Sequence, residues 1–525
     1  MKAGFRQSMA WLHTWSGLIV GWLLFAIFLT GAVSFYRQEI TQWMRPELRQ
    51  LTPPPDAAPI ALNRLHDLGA GARRWLIDLP DERDPVAHLY VWRDPGETPA
   101  FQREELDAAS GETVTGRSTY GGDFLFYFHF DLNMPSIWGR LIVGAAAIVM
   151  LVAIVSGVIT HRRIFKDFFT FRPGKAAQRS WLDVHNLLAV MALPFHLMIT
   201  YTGLITLMFL YMPWGRDIAY QGDRQAFLSE AALSTTIPAA AGVPMPLAPI
   251  GPMLAEAARR WDGAAVGRID VYRPGDANAL IEFTVSDAEQ LAFHRRKITF
   301  DGTTGEVVAA TDDTHWAAET QGVLYGLHIG RFADPVVRFL YFLSSIAGTA
   351  MIATGLLLWE IKRRATEAAD EKARFGPRLV QTLNLGTIVG LPIAIAAFFW
   401  ANRLLPPDLA ERADLEAISF FSAWLLAMFH PMLRPIGRAW VEQLVFAALL
   451  YGTLPLVNAA TTGRHLGTTL ASGDWVLAGF DLTMLGVGLL LAWMARIVGR
   501  KSPNSAQSRV SEHAASAREL LEQRR

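Results

Sequence analysis

A mainly α-helical, polytopic membrane protein of about eight spans, with two small α+β modules outside the bilayer, is the fold class this sequence predicts, on three observations. Hydrophobic residues make up 51% of the 525, with 17 Trp and 30 Phe, a balance that excludes an ordinary soluble enzyme. Charge-free apolar stretches recur at about the 20 residues a bilayer crossing needs. Between them lie two segments of roughly one hundred residues in which apolar alternation marks strands.

The elements follow in order. Residues 1–36 hold the first span, where the apolar run Ser16–Tyr36 follows Lys2 and Arg6; it is too long for a signal-peptide core and is read as a retained anchor. Residues 37–138 form the first module, with strands expected in "WLIDLP" and "AHLYVW". Residues 139–213 contain spans two and three, Leu141–Thr160 and Asn186–Pro213, joined by a basic loop. The second module, 214–334, has strands expected in "GRIDVY" and "ALIEFTV", and span four, Phe339–Trp359, lies in 335–364. Four further spans fill 365–500: Val380–Trp400, Ile418–Leu433, Leu444–Val457 and Trp475–Ala495, the last interrupted by Asp481. Residues 501–525 form a tail.

The formal charge is zero, from 48 basic and 48 acidic residues, so only its distribution informs. Arg162, Arg163, Lys166, Arg172, Lys175 and Arg179 follow span two, and Lys362, Arg363, Arg364, Lys372, Arg374 and Arg378 follow span four. Basic loops stay inside, so both termini are expected in the cytoplasm and both modules outside. The lipid bilayer is the expected surrounding, and no nucleic-acid partner is indicated. Zero cysteines exclude disulfides, thiolate zinc sites, cysteine-held iron–sulfur clusters and covalent haem attachment.

One unit is duplicated. "DAASGETV" at 107 and "DGTTGEVV" at 301 share Asp, Gly, Glu and Val at equal offsets; His13 lies eighteen residues before Gly31, as His185 does before Gly203. His129 in "LFYFHFDLNMP" and His328 in "LYGLHIGRFADP" occupy corresponding places just outside spans two and four.

The histidines sort by depth. "HNLLAVMALPFH" puts His185 and His196 eleven residues apart, which on one straight helix aligns the rings within roughly 20° and separates them by about 16 Å. His13, His161 and His185 form an inner layer; His196 lies deeper, and His129 and His328 lie at the outer ends. Each layer has enough donors for a bis-histidine site. Non-covalent haem b fits, with two groups expected and small residues such as Gly17, Gly31, Gly157, Gly203 and Gly355 leaving room for the macrocycle. His13 and His161 compete to partner His185, with His13 favoured by the duplication; His129 and His328 compete for His196. The plainer alternatives are interfacial polarity for His161, helix capping for His129 and His328, and close packing for the glycines. One zinc or copper ion cannot bridge ligands about 16 Å apart on one helix.

The motifs "LHTWSGLIVGWLLFAIFLTG", "GVITHRRIFKDFFTFRPGK", "SWLDVHNLLAVMALPFHLMITYTGLITLMFLYMP" and "LHIGRFADPVVRFLYFLSSIAGTAMIATGLLLWEIKRR" resemble the PepSY-associated transmembrane helix family, and within it the inner-membrane ferric-siderophore reductases. With the two outer modules, which are then PepSY-like, the resemblance covers about residues 5–365. It implies haem b, electron transfer across the inner membrane and reduction of ferric siderophores on the periplasmic side, fed by an unidentified cytoplasmic or membrane electron donor. No nicotinamide or flavin fingerprint is present. The alternative expectation is a non-redox regulatory or binding protein that works through its PepSY-like modules.

Overall fold

The computed structural model describes residues 4–48, 54, 57–161, 177–230, 235–292, 296–311, 316–367 and 375–500. The first repeat comprises α1 (Phe5–Ser34), α2 (Arg37–Met44), α3 (Ala57–Leu68), β1 (Arg74–Asp78), β2 (Ala87–Trp92), β3 (Phe101–Leu106), α4 (Asp123–Asp131) and α5 (Ser136–Thr160). The second comprises α6 (Ala177–Met191), α7 (Leu193–Thr206), α8 (Ile250–Arg260), β4 (Val266–Tyr272), β5 (Leu280–Val285), β6 (Lys297–Asp301), β7 (Val307–Ala310), α9 (Trp316–Ile329) and α10 (Pro335–Glu367). Five long helices follow among the described residues: α11 (Phe375–Ile388), α12 (Gly390–Leu404), α13 (Arg412–Phe429), α14 (Ile436–Thr461) and α15 (Trp475–Arg500).

Seven helices among the described residues are long and apolar enough to cross a membrane, and the bent pair α6–α7 makes eight if it counts as one span. The chain is thus a multi-pass membrane protein. The third span departs from the continuous Asn186–Pro213 helix expected. It breaks at Ala192, bends by 65° and ends at Thr206. Pro194, in the first turn of α7, cannot donate to the carbonyl four residues back and its ring crowds that position.

The two modules are not separate. All seven strands form one antiparallel sheet in the order β3-β2-β1-β4-β5-β6-β7. β1 and β4 join the halves, from Arg74 opposite Tyr272 to Asp78 opposite Arg268. Each half alone would leave its first strand as an open edge able to pair with other chains; antiparallel pairing of the two edges removes both. Alternation along β2 puts Ala87, Leu89 and Val91 in the core and His88, Tyr90 and Trp92 on the other face. α3 and α8 cover the core face, Leu62, Leu65, Met253 and Ala257 packing with Ile77, Leu89, Ile269 and Phe283.

The chain direction puts the start of α1, the end of α5, the start of α6 and the end of α10 at the end remote from the sheet, where Arg6 Nε donates to the Thr160 carbonyl at 2.8 Å. Of the basic residues expected there, Arg162, Arg163, Lys166, Arg172, Lys175, Lys372 and Arg374 lie outside the described residues, as does the 501–525 tail.

The last helices dock through aromatic rings and buried polar groups. Trp43 stacks on Phe480 at 4.2 Å and donates from Nε1 to Asp481 Oδ1 at 2.9 Å. The Arg403 guanidinium lies 3.7 Å over Trp43 and Nε donates to Asn458 Oδ1 at 2.8 Å. Asp481, the break in the last apolar run, is therefore a buried anchor, as membrane carboxylates with partners generally are.

Candidate functional site

Four histidines form two facing pairs. At the end remote from the sheet, the rings of His13 on α1 and His185 on α6 are 6.5 Å apart at 66°. At the sheet end, the rings of His129 on α4 and His328 on α9 are 6.0 Å apart and inclined by only 23°. Each pair takes one histidine from each repeat.

One local device holds all four rings. His13 Nδ1 bonds the Ala153 carbonyl at 2.8 Å, His185 Nδ1 that of Met351 at 2.9 Å, His129 Nδ1 that of Ile27 at 2.8 Å and His328 Nδ1 that of Ile199 at 3.0 Å. In every case the accepting carbonyl lies four residues before a glycine that faces the ring: Gly157, Gly355, Gly31 and Gly203. A Cβ at these glycines would stand 3.1, 3.3, 2.7 and 2.8 Å from the respective ring. A side chain there would cover the carbonyl of the preceding turn, so glycine admits the imidazole. A carbonyl only accepts, so each Nδ1 is the donor and each neutral ring keeps a free lone pair on Nε2.

This geometry suits a metal between each pair. Two imidazoles bound through Nε2 at about 2.0–2.1 Å, with each nitrogen about 1.1 Å from its ring centre, would set the ring centres about 6.3 Å apart. Each pair could supply two donors to such a metal, and a macrocycle would bring the remaining ligands with it.

The outer pair forms the floor of a cavity of about 1960 Å³ roofed by the sheet; Gly31, Thr200, Gly203 and Tyr211 line its lower part, His88 and Tyr90 its roof. Arginines frame the waist. Glu39 bonds Arg83 at 2.8 and 2.9 Å and Arg338 at 3.1 Å, Arg37 pairs with Asp123 at 3.2 Å, and Arg331 pairs with Asp287. On the roof, His88 Nε2 lies 3.0 Å from Asp84 Oδ2. Burial alone would lower the His88 pKa, but the Asp84 hydrogen bond and the charges of Asp84 and Glu105 hold it above the ordinary histidine value. Burial likewise opposes ionisation of Asp84, yet His88 keeps that carboxyl below its ordinary value.

The six predicted histidines divide. His13 and His185 face each other. His129 and His328, expected to compete for His196, face each other instead, because the bend at Ala192 turns α7 and carries His196 away from that level. His196 is 1% exposed, with its ring beside Phe28 at 6.3 Å and beside Phe195. It does share a neighbour with His185, since both rings look onto α10, at Gly348 and Gly355; those glycines are seven residues apart, about 10.5 Å rather than about 16 Å. His161 ends α5, its N–H bonded to Gly157 and Val158 carbonyls, and joins neither pair. Sequence reasoning missed the carbonyl-before-glycine device, although the eighteen-residue His–Gly spacing was its visible trace. It also missed the buried ion pair Arg412–Glu416, whose i,i+4 spacing is visible in the sequence but whose burial is not.

The family model described as the PepSY-associated TM region matches residues 10–362. An uncharacterized protein of Pseudomonas aeruginosa is 25% identical over 405 residues, covering 74% of this chain and 98% of that relative.

Proposed function

The chain belongs to the family of the PepSY-associated TM region, and from that premise we propose that it is an oxidoreductase that carries electrons across the bacterial inner membrane to ferric siderophores. Two haem b groups would be held, one by His13 and His185 and one by His129 and His328. The observation that carries this reading is the pair of ring separations, 6.5 and 6.0 Å, with every Nδ1 committed to a carbonyl.

Haem iron ligated in this way supplies one-electron chemistry. The chain's part is to hold and tune it. The Ala153, Met351, Ile27 and Ile199 carbonyls fix each tautomer and make Nε2 a better donor. The glycines admit the rings, and apolar helices exclude water. On the sheet side, the cavity has the size to admit a bulky chelate beside the outer pair. One electron delivered to ferric iron lowers its charge and weakens the hold of hard oxygen donors, which releases the metal. Basic residues at the remote end, among them Arg6, Arg179, Lys362 and Arg363, support a cytoplasmic placement of that end and of both termini, with the sheet in the periplasm. A cytoplasmic or membrane donor would then feed the inner pair.

Protein purified from haem-replete cells should show a reduced-minus-oxidised haem b spectrum with two haems per chain. In right-side-out vesicles loaded with a reductant, an impermeant ferric siderophore added outside should yield ferrous iron. A colourless preparation would overturn the reading and leave the sheet as a non-redox binding or regulatory module.

A further inference from the structure

His196 packs against a glycine of α10, as each paired histidine packs against a glycine, but the ring across from it is not an imidazole. The Ser344 backbone lies beside it, four residues before Gly348, whose Cβ would stand 3.0 Å from Nε2. Nε2 is buried without a hydrogen-bond partner among the described residues. The ring across from it is Phe28, which cannot share a metal. One turn closer to the outer pair on the same face of α7, Thr200 Oγ1 is likewise buried and unpartnered, and Thr200 lines the deep end of the cavity. A buried polar atom without a partner is costly in the membrane interior, where phenylalanine would fill the same niche without that cost.

We propose that His196 is a proton acceptor coupled to the outer haem site: when that site gains an electron, one proton passes from cavity water by way of Thr200 to His196 Nε2, and it leaves when the electron leaves. The proposal rests on the haem reading above. The electron comes from the donor of that reading and the proton from solvent, so the site's net charge is unchanged by reduction, which matters most where the dielectric is low. Among the described residues no charged group acts on His196. It meets Phe28 from α1, Phe195 from its own helix and Ser344 and Gly348 from α10; the nearby titratable ring, Tyr341, packs on Phe195. His196 acts on the haem through charge alone, as a positioning rather than a ligating residue.

Spectroscopic redox titration of the holoprotein at several pH values tests this. In the wild type, the midpoint potential of one of the two haems should fall as pH rises. His196→Phe and His196→Gln should both keep two haems per chain and lose that pH dependence; glutamine keeps polarity without basicity, which separates proton uptake from packing. Thr200→Val should slow the return to equilibrium after a pH jump. A pH-independent wild type, or a slope retained in both His196 variants, overturns the proposal. Loss of a haem from both variants also overturns it and makes His196 a ligand. A wild type without haem would sink the underlying reading and this proposal with it, and is distinguished by its missing Soret band.

Discussion

The inner and outer pairs are made by the same device, a ring bonded to the carbonyl four residues before a glycine, yet their surroundings differ. The inner rings cross at 66° between α1, α5, α6 and α10; the outer rings lie at 23° and border the large cavity. The outer glycines are also tighter, 2.7 and 2.8 Å against 3.1 and 3.3 Å. The difference teaches that a shared device does not assign a shared role: on the proposed reading the same pair of imidazoles would relay an electron at one level and deliver it at the other, according to what reaches them.

The largest test exchanges one pair for the other. His185→Ala and His129→Ala should each remove one haem of the two and abolish siderophore reduction in vesicles. An impermeant reductant applied from the sheet side should still reduce the haem left in His185→Ala and not the one left in His129→Ala; equal accessibility would erase the distinction between the pairs. Next, Gly203→Ala should weaken haem retention at the outer site, by about 10- to 100-fold, while Gly355→Ala, with more clearance, should do less; haem-to-protein ratios after dilution decide. A test of overall stability lies behind the cavity wall, where Glu416 accepts from Thr119 at 2.5 Å. Glu416→Ala leaves the fully buried Arg412 unpaired and should cost about 3–5 kcal/mol, with outer haem lost before inner haem during thermal unfolding. The smallest concerns the roof. His88→Asn should destabilise by about 1 kcal/mol or less, because Asp84 is 39% exposed and solvent screens the pair. The raised His88 value makes its contribution full below the ordinary histidine pKa and lost as pH rises through the raised one. The lowered Asp84 value makes its own present above the ordinary carboxylate pKa and lost as pH falls through the lowered one. The melting-temperature gap between wild type and His88→Asn should therefore be widest at mildly acidic pH and close on the alkaline side.

Much of this was legible in the chain. Apolar runs located the spans, the paired motifs located the repeats, and the common offset of His13 and His185 put them on one level, because these features are periodic along a single segment. What stayed hidden depends on contacts between segments. The two halves read as separate modules because each has its own hairpins; only the seam between Ile77 and Ile269 reveals one sheet. His196 read as an outer ligand because a straight helix was assumed through Pro194. His129 and His328 read as rivals because their mutual approach is set by how α4 and α9 lean on Gly31 and Gly203, which no spacing encodes.

The crossing of both pairs between repeats constrains how such a molecule could have arisen. A half-length chain, one repeat long, would carry a single donor for each layer, together with its own glycines and carbonyls, and would complete neither layer. It would also expose the edge of its first strand. Two identical copies related by a twofold axis would close the sheet edge to edge and finish both layers at once, so a homodimer of such half-chains would form a complete unit. The halves are not identical in this chain: His196 has no histidine at the matching place in the first repeat, where Leu24 stands eleven residues after His13.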